Sequence, residues 1–361
     1  MNIKNNIQTT IRKLILLSFI LLAFVFKAIS GENDTVDQRN QYNYDTTYIK
    51  SYRDLFHLTL VGVNKQTGVT LANVNSTYDL EFATNNPFGF GLALDYKWAT
   101  FEYTHTFSGL ELRNNKKGES DAFSFRFGFT GRKLRMNFFI RSTTGFYLKN
   151  IEEYDPNWFQ TNNSYPHFNN LENITLALSV YYTFNHKKYS NTAALWQIDQ
   201  QKKSAGSPVI GFLTNLENIA TTKPLTLSDT LLTGNYYPDF KEGASLKIGF
   251  SGGYMHTFVL WKRYYIHGAI IQGFLYSRGA TDFYNDLETK VYNTLGLSLY
   301  SRITAGYNGN RVYGGIFFVS DGFIDDALAE AYTVTSYNYF RIYVGYRFPI
   351  KTPGWMRKFG L

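Results

Sequence analysis

The sequence predicts an all-β chain: a transmembrane antiparallel up-and-down β-barrel of about twelve strands behind an N-terminal signal peptide. Three observations predict it. Apolar residues return at every second position along most of the chain, aromatic residues are abundant where charges are scarce, and the N-terminus has the make-up of an export signal.

The signal comes first. Lys4, Arg12 and Lys13 form a positive start, and residues 14–26 (LILLSFILLAFVF) are almost wholly apolar. Ala28 and Ser30 are the small residues a signal peptidase reads, so cleavage is expected between Ser30 and Gly31. The apolar run is shorter than the roughly 20 residues of a membrane-spanning helix, and Lys27 closes it. No later segment is long and apolar enough for such a helix. The chain has no cysteine, which excludes disulfides, thiolate metal sites and a lipidated N-terminal Cys.

Composition narrows the class further. Tyr, Phe and Trp make up 18% of the chain, whereas charged residues, also 18%, fall below the roughly 25% of ordinary soluble domains. Tyr and Trp suit a membrane–water boundary, where an apolar ring meets a wet polar tip. The formal charge of +8 includes Lys4, Arg12, Lys13 and Lys27; without them 32 basic residues face 28 acidic ones, or +4. No basic cluster with a nucleic-acid motif accompanies that charge, so nucleic acid is not an expected partner.

The strands follow in order. In residues 90–98, Phe90, Leu92, Leu94, Tyr96 and Trp98 alternate with Gly91, Ala93, Asp95 and Lys97. Phe101 and Tyr103 continue against Thr100, Glu102 and Thr104. In "FSFRFGFTGRKLRMNFFIR", Phe123, Phe125, Phe127 and Phe129 oppose Ser124, Arg126 and Gly128; after the turn Leu134, Met136, Phe138 and Ile140 oppose Arg135, Asn137, Phe139 and Arg141. A period of two with so short a connection is a hairpin. Further runs lie at residues 174–184, 244–251 and 295–300, and the last strand sets Phe340, Ile342, Val344, Tyr346 and Phe348 against Arg341, Tyr343, Gly345 and Arg347. Runs of about ten residues suffice for a tilted strand to cross a bilayer.

Tight turns are expected around Ala99, at residues 131–133, at 185–188, around Lys262, and at Asn308-Gly309-Asn310, the last containing the Asn-Gly signature of a two-residue hairpin turn. Long polar loops are expected at 108–120, 150–170, 217–241, 279–288 and 321–336. Segments 189–199 and 206–216 do not both fit as spanning strands: either one of them does not span fully, or a further strand lies in 217–241, so twelve strands are expected and fourteen stay open.

A soluble sandwich also alternates. The face rich in Gly, Ser, Thr and Arg recurs on nearly every strand, however, the other face is large and aromatic, and the signal exports the chain. The apolar face is therefore expected to meet lipid. That turns Asp95, Lys97, Glu102, Arg126, Arg135, Asn137, Arg141, Arg341, Tyr343 and Arg347 into the lumen. Carboxylates there are expected to pair with arginines such as Arg126 or Arg141, because unpaired charge in a confined interior is costly.

The stretches "YDTTYIKSYRD" (44–54), "NNPFGFGLALDYKW" (85–98), "QKKSAGSPVIGF" (201–212) and "GYMHTFVLWKRYYI" (253–266) resemble an outer-membrane barrel family of the Bacteroidota known as domain of unknown function 4421. The resemblance covers most of the mature chain. It implies the barrel and the outer membrane, and brings no substrate or catalytic residue. Phe340, Ile342, Val344, Tyr346 and Phe348 resemble the strand by which the barrel-assembly machinery recognises such proteins; typical members end at the aromatic, whereas here twelve further residues follow Pro349.

Chemistry is sparse. No Gly-x-Ser-x-Gly elbow, phosphate-binding loop, His-Glu-x-x-His or calcium loop occurs. His105 and Ser108 are three apart on a strand and so do not share a face. His256 and His267 read as lumen or interface polar residues. Residues 154–170 hold Trp158, Phe159, Tyr165 and Phe168 among amides, a composition that binds sugars or simply covers a surface. The expected organisation is a signal peptide (1–30), a periplasmic arm (31–51), the barrel (52–348) and a C-terminal tail (349–361). The expected function is a non-enzymatic outer-membrane channel or binding protein for a small polar solute, without cofactor, metal or catalytic residue. An enzyme acting on lipid or envelope glycan, or a surface-interaction barrel contacting glycan, are the alternatives.

Overall fold

Alternating Phe, Leu and Tyr along Phe88–Tyr96 and Asp121–Thr130 leave each backbone extended, and every stave finds a partner on both edges. A computed structural model of the chain describes residues 43–73, 79–85, 88–106, 115–225, 240–284, 289–325 and 331–350. In chain order the strands are β1 (Ile49–Ser51), β2 (Leu55–Asn73), β3 (Leu80–Ala83), β4 (Phe88–Tyr96), β5 (Ala99–Thr106), β6 (Asp121–Thr130), β7 (Leu134–Leu148), β8 (His167–Thr183), β9 (Asp199–Gln201), β10 (Ala205–Thr221), β11 (Phe240–Leu260), β12 (Tyr264–Phe283), β13 (Lys290–Asn308), β14 (Val312–Asp325) and β15 (Ala331–Pro349). All fifteen lie in one compact unit, Thr46–Lys351. Twelve of them, all but β1, β3 and β9, form a closed antiparallel barrel; β15 returns to β2 in unbroken register from Pro349↔Leu55 to Ala331↔Asn73. Closure satisfies backbone donors and acceptors that lipid could not. Among the described residues no helix is long and apolar enough to cross a membrane.

The staves differ in length. β4, β5 and β6 have 9, 8 and 10 residues, whereas β11, β12 and β15 have 21, 20 and 19. Strand β3 makes up the difference at the long-loop end, pairing with β2 at residues 68–71 and with β7 at Phe82 and Ala83. The expectation of roughly ten-residue strands therefore holds for one side of the barrel only. Elsewhere the outer face changes character part-way. On β15, Phe340, Ile342, Val344, Tyr346 and Phe348 are exposed and apolar, and the next outward positions are Asn338 and Ser336. On β2 the exposed Leu60 gives way to Asn64 and Gln66. An apolar belt of about nine residues matches the roughly 9–11 that cross a bilayer; the remainder of each long stave projects beyond it.

At the far end the inner face also changes. The register of β7 against β8 shifts between Thr144 and Phe146, where Gly145 takes φ +78°. Beyond that bulge Phe146 and Leu148 are fully buried with Val69, Phe82, Leu171 and Phe240 in an apolar cluster. Trp158, Phe159 and Tyr165 pack against it, so these loop aromatics cap the barrel instead of standing free.

Two expectations about the turn end need correction, and one open alternative is decided. Residues 185–188 are not a hairpin turn but the start of a long connection between β8 and β10. Of the two segments that did not both fit, 206–216 lies in β10 and 189–199 is the one that does not span: every residue from 189 to 201 is buried. Asn308-Gly309 is not the apex of its hairpin, because the Gly309 N–H donates to the Val312 carbonyl (3.1 Å) and places Asn310 and Arg311 at the corner. Asn308 turns inward, for the reason given below. The signal peptide with Ser30 and Gly31, residues 31–42 of the arm, Ser108 and residues 351–361 lie outside the described residues.

Candidate functional site

The long connection between β8 and β10 folds back into the barrel. Its short helix Asn191–Leu195 is entirely buried, and Gln197 (φ +53°) reverses the chain into β9, which pairs with β1 through Ile49↔Gln201, Lys50↔Gln200 and Ser51↔Asp199. Leu195, Trp196 and Ile198 pack on inward side chains of the wall, among them Val61, Val63, Phe317 and Tyr339. These are apolar positions on faces that a water-filled pore would leave polar, and they explain why this segment enters the lumen: its Leu, Trp and Ile have an apolar surface to cover there.

Polar clamps fix the segment. The Asp199 carboxylate accepts from the Ser190 and Thr192 hydroxyls (2.8 Å each) and lies 3.4 Å from both Arg53 and Arg132. Burial alone would raise its pKa; the two guanidiniums, then the two hydroxyls, outweigh that and hold it well below the usual carboxylate range. The Gln197 amide donates to Tyr265 (2.7 Å) and Tyr343 (2.8 Å), which come from different walls and bond each other (2.8 Å). Arg347 lies between the rings of Tyr52 (4.0 Å) and Tyr313 (4.5 Å) and donates to the Gln197 carbonyl and the Asn308 side chain (2.6 Å each). Asn308 donates in turn to the Asp199 carbonyl (3.0 Å), which accounts for its inward turn.

Further along the lumen, Glu102 pairs with Arg341 (3.0 Å) and Arg126 (3.7 Å) and accepts from Tyr339 (3.3 Å). Lys65 donates to Thr104 and Ser124. Glu217 lies 3.7 Å from Lys247 and accepts from Asn173 (3.0 Å) and Thr335 (2.7 Å). Arg302 donates to Asn191 of the inturned segment (2.8 Å) and meets His267 Nε2 at 2.7 Å; His267 Nδ1 then reaches Thr257 (3.0 Å). An arginine at Nε2 makes that nitrogen an acceptor, which leaves the imidazole neutral with its proton on Nδ1.

Between these clusters lies a cavity of about 160 Å³. Arg126, Arg135, Asn137, Arg302 and Asp321 line it, with Phe139, Tyr300, Phe317 and Tyr337, and with Leu195 and Trp196 of the inturned segment. A smaller cavity of about 50 Å³ shares Phe139, Asn215, Asp321 and Tyr337 with it and adds Arg141, Glu217 and Thr335.

The structure brings some of the sequence-derived residues together and separates others. Glu102, Arg126 and Arg341 meet; Arg126, Arg135 and Asn137 share the cavity wall; Tyr343 and Arg347 hold the inturned segment. Among the described residues Arg141 forms no ion pair; it lies 3.8 Å from the centre of the Tyr337 ring and donates to Thr175 (3.3 Å). Asp95 is buried on the inner face of β4, beside neither Arg126 nor Arg141 in any ion pair among the described residues. Lys97 occupies the β4–β5 turn with φ 51°, over the ring of Tyr96 (5.6 Å). Phe340, Ile342, Val344, Tyr346 and Phe348 are all exposed on the closing strand. Sequence reasoning missed Arg302, Lys65, Arg53, Arg132 and Asp199. Arg302 was within reach, since the alternation of Ser298 and Tyr300 carries on to it; Asp199 was not, since nothing in "NTAALWQIDQQ" marks a segment folded into a lumen. Among the described residues no three His, Asp or Glu side chains gather closely enough to hold a metal ion.

No curated protein matches the chain. Among solved structures, the outer-membrane protease OmpT from Escherichia coli is similar at 7% identity and TM-score 0.40, over 83% of this chain and 98% of that one. The translocator domain of the autotransporter NalP from Neisseria meningitidis matches at 9% identity and TM-score 0.31, over 92% and 96%. The toluene transporter TodX from Pseudomonas putida matches at 8% and 0.27, over 83% and 91%. Residues 43–348 match the domain of unknown function DUF4421, and the chain belongs to that family.

Proposed function

We propose that the chain is a non-enzymatic outer-membrane barrel that binds a small polar solute in a plugged lumen and passes it when the inturned segment moves. One observation carries this reading: the interior cavity is walled by arginines and amides and closed on one side by Leu195 and Trp196. In this reading residues 1–30 export the chain and are removed between Ser30 and Gly31, residues 31–51 lie in the periplasm with β1 gripping the plug, and residues 349–361 follow the barrel as a tail. The exposed aromatics of β15, ending at Phe348, are what the assembly machinery recognises.

The test is ion conductance across planar bilayers. The full chain is compared with a variant in which residues 185–204 are replaced by a two-residue Asn-Gly turn. The native protein is expected to conduct poorly and the variant to conduct steadily with a mild anion preference, because arginines line the opened lumen. A variant that inserts as a barrel but passes no ions, or prefers cations, overturns the reading.

A further inference from the structure

The cavity holds a charge that nothing answers. Arg135 is only 6% exposed, and its guanidinium makes no hydrogen bond or ion pair among the described residues; the face of Tyr181 lies 5.4 Å away. Its Nε is buried without a partner, as is the Nε of Arg302 on the same wall. Arg302 is at least committed to Asn191 and His267, and Arg126 shares Glu102 with Arg341. The one acidic residue lining the cavity, Asp321, forms no ion pair among the described residues with Arg135, Arg302 or Arg126. A guanidinium kept from water without a counter-charge is costly, and a planar fork of donors facing a cavity fits a carboxylate in two parallel hydrogen bonds.

The remaining wall says what that carboxylate is attached to. Phe139, Trp196, Tyr300, Phe317 and Tyr337 surround the space, which offers ring faces and edges to a flat apolar body. The volume of about 160 Å³ is close to the roughly 150 Å³ that accommodates a benzene ring in an apolar cavity. We propose that this chamber is a binding site for a small aromatic carboxylate, its carboxylate received by Arg135 and its ring held among the aromatic side chains. An inorganic anion would leave the aromatic walls uncovered, and an organic cation would meet three arginines. The proposal deepens the solute-binding reading above and rests on it.

Isothermal titration of the detergent-solubilised full chain tests it with four probes: sodium benzoate, benzyl alcohol, benzylammonium chloride and sodium acetate. Benzoate is expected to bind once per chain, at least about tenfold more tightly than benzyl alcohol or acetate, and benzylammonium not at all. Arg135→Gln should reduce benzoate to the level of benzyl alcohol and leave benzyl alcohol unchanged, whereas Arg135→Lys should keep part of the preference. Asp321→Asn, which removes the one acid of the wall, should tighten benzoate; this second variant serves if Arg135→Gln does not form a barrel. Equal affinity for benzoate and benzyl alcohol, no binding of benzoate by native barrel, or benzoate binding indifferent to both substitutions overturns the proposal. The two readings fail separately. Benzoate binding together with a silent plug-replaced variant overturns passage alone, and conductance without benzoate preference overturns the ligand class alone.

Discussion

The carboxylate of Asp199 lies 3.4 Å from the guanidinium of Arg53, which precedes it by 146 positions in the chain. Arg132, from the turn between β6 and β7, reaches the same carboxylate from another direction at 3.4 Å. The entry to β2, a turn of the wall and the inturned segment are thus fastened at one point, on a side chain with no exposure of its own. Asp199→Asn keeps the shape and the hydroxyl contacts but removes the charge that two guanidiniums share. The expected cost is about 3 kcal/mol, the lower part of the range for breaking a buried pair, since both arginines keep some contact with water. The plug should loosen before the barrel does: bilayer recordings of the variant should show frequent openings absent from the native protein. Unchanged conductance together with an unchanged melting midpoint would place the fastening elsewhere.

The same carboxylate sets a pH dependence. Its pKa is depressed in the folded protein by Arg53, Arg132 and the hydroxyls of Ser190 and Thr192, against the opposing effect of burial. An unfolded aspartate titrates near about 3.9. The stability it contributes is therefore fully present above about pH 4 and is lost as pH falls from there toward the depressed folded value. Conductance recorded from pH 7 down to pH 3 should rise only below about pH 4 in the native protein, while Asp199→Asn, already uncharged, should show no such step. A step near pH 6–7 instead would point to another titrating group.

The outer face and the hidden lining of this barrel were unequally legible. Lipid contact imposes one rule on every stave, so the alternation of Phe340 to Phe348 or of Leu295 to Leu299 can be read without knowing the neighbours, and those residues are exposed on the wall. The interior obeys no such rule. Glu102 pairs with Arg341, 239 residues away in the chain, because closure of β15 on β2 brings β15 within three staves of β5; sequence spacing carries no trace of that distance. The plug left the strand count open for a related reason. "NTAALWQIDQQ" is short and half apolar, which resembles a strand, and only the inward Val61, Val63 and Phe317 of distant staves make its burial favourable. Parity also breaks at Gly145, where a bulge turns Phe146 and Leu148 inward, and bulges leave little local signal beyond a glycine.

Closure through nineteen-residue β15 and β2 predicts how the protein runs on a gel. No free sheet edge is left from which detergent could begin to peel strands. Unboiled samples from outer-membrane fractions should migrate differently from boiled ones on a denaturing gel. A single band in both lanes, with the protein in the soluble periplasmic fraction, would mean that the outward phenylalanines cover another protein surface.

Phe274 gives the sharpest test of what the belt touches. It stands in the middle of β12, 71% exposed, opposite Phe250 and Leu297 on the neighbouring staves. Were that surface wetted, Phe274→Arg would be neutral or would improve solubility, since a large exposed apolar side chain gains nothing from water. In a bilayer the same charge enters the apolar belt, where an arginine costs up to about 2–4 kcal/mol. Asn338→Arg on β15 supplies the control: its side chain lies on the polar side of Phe340, outside the belt, where the expected change is within about 1 kcal/mol. Reversible urea unfolding in lipid vesicles measures both. A penalty at Phe274 with none at Asn338 fixes the depth of the barrel in its membrane, and equal, small effects at the two positions would remove the lipid from the account of this fold.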